Sequence, residues 1–375
     1  MSANHREGAA MGVTIGWDIG GAHLKLALLR EGRLAAIRQL PCPLWQGLDR
    51  LEAAMKAGLA DWPEAPHHAV TMTGELVDLF PDRASGVRAL IDTLVQRLGE
   101  SAIAVYAADG AFLTTAEARA EPDRAASANW HASARLAAHL TGDGLLVDIG
   151  STTTDLVPFR KGAVAALAVD DAGRLVTGEL VYRGAVRTPV MAVIRHAEFE
   201  GVRTGVMAEH FATMADIFRL TGDLPAHADQ HGTADGKGKS LAESRVRLAR
   251  MIGRDAASAG HESWADLARF IAARQLDQLA EAAQSLLSRS GFPADAPLIG
   301  AGVGRFLLPG LARRLDRPYH DFAGLIESKE AELAADCLPS YAVAVLFSNN
   351  SQSVSPGLDI DGASFETALD GASSG

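Results

Sequence analysis

The chain has 375 residues, a length that accommodates two domains or one large bilobal unit. Hydrophobic residues make up 48% of it and charged residues 22%, which is typical of a globular protein and excludes a mainly disordered chain. The formal net charge of −11 argues against nucleic acid as a partner, because nucleic-acid binding needs a concentrated basic surface.

The cysteines and the hydropathy indicate the compartment. Cys42 and Cys337 are far apart and form neither a disulfide framework nor a CxxC metal motif. Residues 1–12 are polar and contain no signal peptide, and no apolar run reaches the length of a membrane span. We therefore expect a cytoplasmic protein with a flexible N-terminus over residues 1–12 and without a membrane partner.

The first half of the chain combines strand and helix patterns. Short apolar runs bounded by turns predict strands at 13–18, 24–29, 34–40, 69–73 and 103–106. Helical spacing of apolar residues predicts helices at 48–59, 87–98 and 125–140.

The second half repeats the strand–turn–strand opening and then becomes helical. Strands are predicted at 144–148, 152–159, 163–169 and 298–299. Helices are predicted at 190–195, 207–220, 241–252, 263–287, 305–315 and 330–347, and a loop at 225–239. Residues 351–375 are rich in Ser, Gly, Asp and Ala, which predicts a disordered tail.

The first motif with chemical meaning reads Asp18-Ile-Gly20-Gly21-Ala-His23-Leu-Lys25. The paired glycines let backbone N–H groups approach an anion, and Asp18 can hold Mg²⁺ through water. Side chains alternate along a strand, so His23 and Lys25 share one side and both can face a phosphate. A plain hairpin turn, with Lys25 on the solvent side, stays the alternative.

The second motif follows the strand predicted at 144–148. It reads Asp148-Ile-Gly150-Ser151-Thr152-Thr153-Thr-Asp155. Its hydroxyl groups can donate to phosphate oxygens, and Asp148 can bind a metal or act as a base. A turn followed by a Thr-rich edge strand is the alternative, and Asp155 is expected to cap or pair structurally. The similarity of Asp18-Ile-Gly-Gly to Asp148-Ile-Gly-Ser is a weak internal repeat, which indicates a duplicated domain with a site between its halves.

The third motif, Gly300-Ala-Gly302-Val-Gly304, joins a predicted strand to a predicted helix. Glycines at such a junction expose N–H groups at a helix N-terminus, although many ordinary strand–helix loops look the same. The pattern is not GxGxxG, so a Rossmann dinucleotide site is not supported.

Several isolated residues are further candidates. Arg183 and Arg187 flank a glycine turn and can clamp a diphosphate or a carboxylate, with a surface pair as the alternative. Glu75 follows a predicted strand end, where ligand sites of α/β proteins gather. His227 and His231 lie in the 225–239 loop, but no cysteine or third spaced histidine supports a zinc site there.

In this order, the three motifs resemble the phosphate-one, phosphate-two and adenosine motifs of the sugar kinase, heat-shock chaperone and actin superfamily. The resemblance implies an α/β fold of two RNase H-like lobes with a cleft between them, the actin-like ATPase fold. Lobe I would cover residues 13–140. Lobe II would cover residues 144–349 and include a C-terminal helix that crosses back to lobe I.

A narrower resemblance spans most of the chain. Its motifs are Thr71-Met-Thr-Gly-Glu75-Leu, Ala128-Asn129-Trp130, Thr177-Gly-Glu-Leu-Val-Tyr-Arg183-Gly184, Arg187-Thr188-Pro189 and Thr233-Ala-Asp235-Gly. They are similar to hydantoinase/oxoprolinase-related proteins of tetrahydromethanopterin-linked one-carbon pathways, which include the methanofuran-biosynthesis synthases. Those synthases join an aminomethylfuranyl-methyl diphosphate to the phenol oxygen of a γ-glutamyl-tyramine and release diphosphate. In methylotrophic bacteria the product would be a methylofuran.

The combination of these residue patterns with the resemblance predicts a site that contacts small-molecule substrates. It gives the catalytic residues as Asp148, Asp18 and Lys25, with Asp18 and Asp148 also holding Mg²⁺. It gives the phosphate-binding residues as Gly20, Gly21, His23, Gly150, Ser151, Thr152, Thr153, Gly300, Gly302 and Gly304. It gives the substrate-binding residues as Glu75, Asn129, Arg183, Arg187, Thr188 and Asp235.

Two other functions stay open on the sequence. One is an ATP-dependent small-molecule kinase or a hydantoinase-type hydrolase, and the other is a nucleotide-binding regulator without turnover. Many kinases of the superfamily have Thr after the paired glycines, where this chain has Ala22 and His23, which argues against a kinase. The use of ATP, the choice of a tyramine or tyrosine acceptor and a homo-oligomeric state stay undecided by the sequence.

Overall fold

The computed structural model describes residues 12–289 and 292–353, and two main β-sheets with flanking helices form its framework. The strands are β1 (Val13–Ile19), β2 (His23–Arg30), β3 (Arg33–Pro41), β4 (His67–Met72), β5 (Ile103–Tyr106), β6 (Phe112–Leu113), β7 (Gly144–Ile149), β8 (Thr154–Arg160), β9 (Ala163–Val164), β10 (Leu180–Val181), β11 (His196–Phe199), β12 (Val202–Gly205), β13 (Leu298–Ala301) and β14 (Tyr319–Asp321).

Helices cover both sheets, and short 3₁₀ turns connect several of them. The α-helices are α1 (Leu48–Leu59), α2 (Arg83–Leu98), α3 (Thr115–Ala120), α4 (Pro122–Ala125), α5 (Asn129–Thr141), α6 (Asp171–Thr177), α7 (Met214–Thr221), α8 (Leu241–Met251), α9 (His261–Leu287), α10 (Leu308–Leu315), α11 (Ala331–Asp336) and α12 (Leu338–Ser353). Within the described ranges, no helix is long and apolar enough to cross a membrane.

The two sheets share one local plan. The first has the order β3-β2-β1-β4-β5-β6, with β1 antiparallel to β2 and parallel to β4. The second has the order β10-β8-β7-β13-β14, with β7 antiparallel to β8 and parallel to β13. A hairpin followed by a parallel strand on its other side thus occurs twice, which confirms the duplicated, two-lobed α/β fold.

The last helix ties the two sheets together. Helix α12 packs on β1, β2 and β4 of the first sheet and on α5, and α5 in turn packs on β7, β8 and β9. One hydrophobic cluster accordingly contains Ala69 of β4, Leu146 of β7 and Val343 of α12. Helix α5 falls within the segment predicted as lobe I, although its strand contacts are with the second sheet, so the boundary at residue 140 stays a prediction.

Close backbone packing fixes the position of α12. A Cβ atom on Gly16 of β1 would overlap the carbonyl oxygen of Ser340 and lie 2.8 Å from the Cβ of Ala344. Only glycine permits this approach without displacement of the strand or the helix. Helix α12 is therefore seated directly on the first sheet.

Several predicted elements are wrong in type or extent. Residues 196–205, bounded by the predicted helices 190–195 and 207–220, form the antiparallel β11–β12 hairpin, and α7 begins only at Met214. The helix predicted at 125–140 is divided, because Ser127 adopts a positive φ of 49° between α4 and α5. The helix predicted at 330–347 is two helices, α11 and α12.

The predictions for the two ends of the chain are only partly tested, because the structure describes only part of each end. Helix α12 continues to Ser353, so the first three residues of the predicted tail are helical. Residues 1–11 and 354–375 lie outside the described residues, as do 290 and 291.

Candidate active site

A row of polar side chains crosses the first sheet at the end of β1. Asp18 is in register with Lys25 of β2 and with Thr71 of β4, and register neighbours project from the same face of a sheet. Lys25 Nζ lies 3.2 Å from Asp18 Oδ2. Asp18 is buried, and its Oδ1 has no hydrogen-bond partner among the described residues. Lys25 is therefore an ion-paired residue and not a solvent-facing one.

The corresponding row in the second sheet is acidic. Asp148 of β7 is in register with Asp155 of β8 and with Ala301 of β13. Arg174 of α6 neutralises Asp155, with Nη1 2.9 Å from Oδ1. Burial, reinforced by the negative charge of Asp155, raises the pKa of Asp148 to about 7, while Lys25 opposes the rise. Asp148 can therefore gain and lose a proton near neutrality.

Charged groups of the two rows shift one another's pKa values. Burial alone would lower the pKa of Lys25, but the charges of Asp18 and Asp148 act against it and leave the pKa raised. The charge of Asp18 likewise contributes to the raised pKa of Asp148. The structure thus brings together Asp18, Asp148 and Lys25.

The glycine amides of the motifs are already used inside the protein. Gly20 N–H donates to His23 O at 3.0 Å and Gly150 N–H to Thr153 O at 2.9 Å, because each tight turn closes on itself. Gly302 N–H donates to Ala335 O and Gly304 N–H to Ile149 O. These four amides therefore have partners within the protein, and the assignment of the four glycines to phosphate binding stays a prediction.

The third motif serves packing. A Cβ atom on Gly302 would overlap Asp148 Oδ1, and one on Gly300 would lie 2.7 Å from the Tyr319 hydroxyl oxygen. Because Gly302 also has a φ of +82°, it must be glycine for the second sheet to hold Asp148 at this position.

The turn of the second motif, residues 150–153, has backbone amides without partners among the described residues, and a segment that contains two arginines packs against it. The amides of Ser151 and Thr152 make no hydrogen bond within the part of the chain that the structure describes. Residues 183–188 wrap this turn: Ala185 N–H donates to Gly150 O at 2.9 Å and Arg187 N–H to Ser151 O at 2.8 Å. Without a Cβ atom, Gly184 can approach Thr152 N, which an added Cβ would meet at 2.5 Å.

Both predicted arginines lie at this turn. Arg187 Nη1 donates to Thr152 Oγ1 at 3.4 Å, and the Nε of Arg183 is buried without a partner in the described ranges. Thr188 has a structural part, since its Oγ1 accepts from Gly184 N–H at 2.8 Å. We call residues 150–153 with Arg183 and Arg187 the basic end of the site.

Aromatic and histidine side chains adjoin the basic end. Arg187 lies over the Trp45 ring at 5.3 Å, and the rings of His23 and His231 meet edge to face at 4.5 Å. Burial, reinforced by His231, lowers the pKa of His23 to about 3, so its ring is neutral. A cavity of about 320 Å³ opens here, lined by Trp45, Arg187 and His231 among others.

Glu75 occupies a different, acidic neighbourhood. Ser127 Oγ donates to Glu75 Oε1 at 2.8 Å and lies 3.3 Å from Asp171 Oδ2, and Arg83 pairs with Asp171 at 2.8 Å. Burial raises the pKa of Glu75 despite the bond from Ser127. We call Glu75, Ser127 and Asp171 the acidic end. Asn129 begins α5 two residues beyond Ser127.

Asp235 does not join the site. Its carboxylate pairs with the buried Arg247 at 3.1 Å and with Arg250 at 3.6 Å, and it accepts from Lys237 N–H. Asp235 therefore serves as a counter-ion for the buried Arg247 of α8, and its assignment as a substrate contact stays a prediction.

The site suits Mg²⁺ better than zinc. The free Oδ1 of Asp18 beside Asp148 matches a cation that takes one or two carboxylates and completes its shell with water and phosphate oxygens. No group of three or more metal-binding side chains occurs among the described residues. His227 pairs with Asp336, with Nε2 2.6 Å from Oδ2.

Sequence reasoning missed Ser127, Asp171 and Trp45. Ser127, which contacts Glu75, is 52 residues from it in the chain, and Asp171, which lies beside Ser127, is 96 residues from it. No motif marks either of them. The positive φ of Ser127 is visible only in the structure.

Comparisons with known proteins bear on most of the chain. The model of the hydantoinase/oxoprolinase family matches residues 67–321. A (4-{4-[2-(gamma-L-glutamylamino)ethyl]phenoxymethyl}furan-2-yl)methanamine synthase of Methanocaldococcus jannaschii is 30% identical over 335 residues, 88% of this chain and 96% of that one. The protein of the same name from Methanococcus vannielii is 25% identical over 205 residues, 55% of this chain and 90% of that one.

A solved structure extends the comparison to the fold. The nucleotide-free structure of an ATP-dependent acetone carboxylase superposes with a TM-score of 0.51 and 13% identity, covering 81% of this chain and 67% of that one. At this identity the likeness concerns the fold alone.

Proposed function

This chain belongs to the hydantoinase/oxoprolinase family, and we propose that it is a synthase of methanofuran- or methylofuran-type cofactors. It would join a furanylmethyl diphosphate to the phenol oxygen of a glutamylated tyramine or tyrosine. The observation that carries the proposal is 30% identity to a synthase of this kind across nearly the whole of both chains.

The proposed reaction is an alkyl transfer. The bond between the furan methylene carbon and the diphosphate oxygen breaks, and the electron pair leaves with diphosphate. The phenol oxygen forms the new ether bond to the methylene carbon, and its proton passes to a base. The furan ring stabilises the positive charge that develops on the methylene carbon.

Asp148 is the base that we assign. Its pKa of about 7 lets it take the phenol proton and release it to solvent at neutral pH. Lys25, paired with Asp18, keeps the cleft from accumulating uncompensated negative charge as diphosphate binds.

The basic end supplies the donors for diphosphate. The amides of Ser151 and Thr152, the hydroxyl of Thr152 and the guanidinium group of Arg187 lie at one turn. Arg183, whose Nε is buried without a partner among the described residues, accepts through its carbonyl oxygen from the hydroxyl of Thr154, just after that turn. Arginine and free backbone amides are suited to phosphate oxygens, and they stabilise the charge of a departing diphosphate. Asp18, whose Oδ1 has no hydrogen-bond partner among the described residues, would hold Mg²⁺, and the ion would supply further positive charge to the diphosphate while Asp148 serves as the base.

The test is product formation from defined substrates. The protein is incubated with an aminomethylfuranyl-methyl diphosphate, Mg²⁺ and γ-glutamyl-tyramine or γ-glutamyl-tyrosine, and the products are identified by mass spectrometry. We expect one ether product and one diphosphate per turnover without ATP. Absence of the ether with every phenol, or an absolute requirement for ATP, would contradict the proposal.

Two variants test whether Arg187 contacts the diphosphate. Arg187→Ala is expected to weaken binding of the furan diphosphate by about 10–100-fold, because a charge-assisted contact is lost. Arg203→Ala, on the exposed β12, is the matched control and should leave binding unchanged. Thermal shifts with Mg²⁺ and diphosphate, ADP or ATP separate a diphosphate site from a nucleotide site.

A further inference from the structure

We propose that the acidic end, formed by Glu75, Ser127 and Asp171, binds the primary ammonium group of the furan substrate and so selects an aminomethyl-bearing donor. This inference rests on the proposed function and adds to it the specificity for one end of the donor. The relative's printed name gives its product as a furanyl methanamine, a primary amine.

Glu75 has a free, buried carboxylate oxygen. The residue is 1% exposed, and only its Oε1 has a partner, the hydroxyl of Ser127 at 2.8 Å. Its Oε2 has no hydrogen-bond partner within the described residues. Buried polar atoms are nearly always paired, so an orphaned carboxylate oxygen indicates a missing donor.

The hydroxyl of Ser127 cannot satisfy both of its neighbours. Glu75 Oε1 lies 2.8 Å and Asp171 Oδ2 3.3 Å from the same oxygen, which has one proton to donate. Asp171 Oδ2 also accepts from Arg83 at 2.8 Å, so it is the ionised Glu75, through its Oε2, that is short of a donor. An ammonium group brings three N–H donors, and it is the ligand that this arrangement lacks.

The charges around the acidic end also favour a cation. Arg83 is committed to Asp171 at 2.8 Å and Arg174 to Asp155 at 2.9 Å. No lysine or arginine makes an ion pair with Glu75 in the described part of the chain, and the charge of Arg83, which acts to lower the pKa of Glu75, does not offset the effect of burial. A cationic ligand would restore the ionised form of Glu75 that burial disfavours.

The acidic end adjoins the reaction centre through helix α6. Asp171 and Arg174 lie three residues apart on that helix, Arg174 pairs with Asp155 at 2.9 Å, and Asp155 is in register with Asp148. The basic end lies at the turn that follows β7, two residues after Asp148 in the chain. A donor with an ammonium at one end and diphosphate at the other matches this polarity and would be held in a single orientation.

The test compares two donors in three proteins. One donor has the aminomethyl group, and the other has a methyl group in its place. The proteins are the unaltered chain, Glu75→Gln, which keeps an acceptor for Ser127, and the control Glu198→Gln on the exposed face of β11. We expect the unaltered chain and Glu198→Gln to prefer the aminomethyl donor by at least about 100-fold in kcat/KM, and Glu75→Gln to lose most of this preference.

The quantity compared is the ratio of kcat/KM for the two donors. A variant that is only partly folded would lose activity with both donors and keep this ratio. Glu75→Gln should retain its kcat/KM for the methyl donor and its KM for the phenol. Equal kcat/KM for the two donors in the unaltered chain overturns the inference and leaves the proposed synthase in place. A Glu75→Gln variant with an unchanged preference, or with an altered phenol KM alone, also overturns it.

A binding measurement keeps the test independent of turnover. Calorimetry uses the aminomethylfuranyl methanol, which lacks diphosphate, against its methyl counterpart. We expect the amine to bind the unaltered chain at least about 10-fold more tightly than Glu75→Gln, and the methyl compound to bind both alike. If the amine binds both proteins equally, or binds neither, the inference is overturned. If instead every furan diphosphate proves inert, the proposed function is refuted, and the binding measurement still tests the inference.

Discussion

Lys25 and Asp18 form an ion pair across the first hairpin, with 3.2 Å between Nζ and Oδ2. At the equivalent place in the second hairpin, Asp148 faces another carboxylate, Asp155. The internal repeat thus differs at one position in the sign of its charge. This difference gives Lys25 influence over both halves of the site, since its charge also opposes the raised pKa of Asp148.

Lys25→Met should impair both catalysis and stability. The methionine keeps the length of the side chain but leaves Asp18 buried without a cation, which costs about 1–3 kcal/mol in the free energy of unfolding. Turnover with the furan diphosphate should fall by about one to three decades, with the phenol KM unchanged. Steady-state kinetics and urea denaturation measure the two effects.

A double variant separates these effects. Lys25→Met combined with Asp18→Asn should recover most of the lost stability, because neither charge is then left unpaired, while turnover stays low. Unchanged kinetics for both substrates in Lys25→Met would limit the residue to a structural role.

Asp148→Asn should abolish turnover without unfolding the protein. The amide has nearly the same shape and removes a charge that Asp155 and Asp18 both repel, so the melting temperature should hold or rise. Loss of the base should lower kcat by about two to four decades. Near-normal turnover with ordinary Mg²⁺ dependence would remove Asp148 from the mechanism.

Gly16→Ala should destabilise the protein strongly. The new methyl group overlaps the Ser340 carbonyl and forces α12 away from β1, at a cost of about 1–3 kcal/mol or more. Gly205→Ala is the matched control, since no atom lies within 4 Å of its added Cβ. Urea unfolding of the two variants should differ by most of this amount, and equal stabilities would show that α12 is not tightly seated.

Stability should fall as the pH drops below about 6.5, partly because of His68. Its Nδ1 accepts from Trp17 Nε1 at 3.0 Å, and burial, with a small contribution from His67, lowers its pKa to about 4. Between pH 6.5 and 4 the unfolded chain binds the extra proton, so acid favours unfolding by up to about 3 kcal/mol from this residue.

His68→Gln isolates that contribution. Glutamine can still accept from Trp17 but does not titrate. Between pH 7 and 5 the unaltered chain should therefore lose about 1–2 kcal/mol more stability than the variant. Parallel stability curves for the two proteins in urea titrations would show that His68 is not buried as a neutral ring.

The hairpins and their aspartates follow from local sequence. Apolar runs ending in Asp and glycine placed β1, β2, β7 and β8 almost to the residue, and helical spacing predicted α1 at its observed bounds. The turns Glu31-Gly32 and Lys161-Gly162 were readable because each is a polar residue followed by glycine between two apolar runs, and in the structure both residues of each turn take positive φ. The same pattern at Glu200-Gly201 was available for β11–β12, but the apolar residues around it suggested helices.

The acidic end could not be read from the sequence. Its members are joined by contacts between distant segments, and Glu75 alone had a local signal, as the residue after a strand. The occupied amides of Gly20 and Gly150 were equally hidden, because a Gly-rich turn looks the same whether its amides close the turn or face a ligand.

The seating of α12 on β1 bears on how the chain folds during synthesis. The first sheet's strands leave the ribosome early, but the helix that covers them follows only after the second sheet is complete. At about 5–20 residues per second, the delay is on the order of tens of seconds. The face of β1, β2 and β4 that receives α12 must stay uncovered for that time, so the lobe translated first is the last to close.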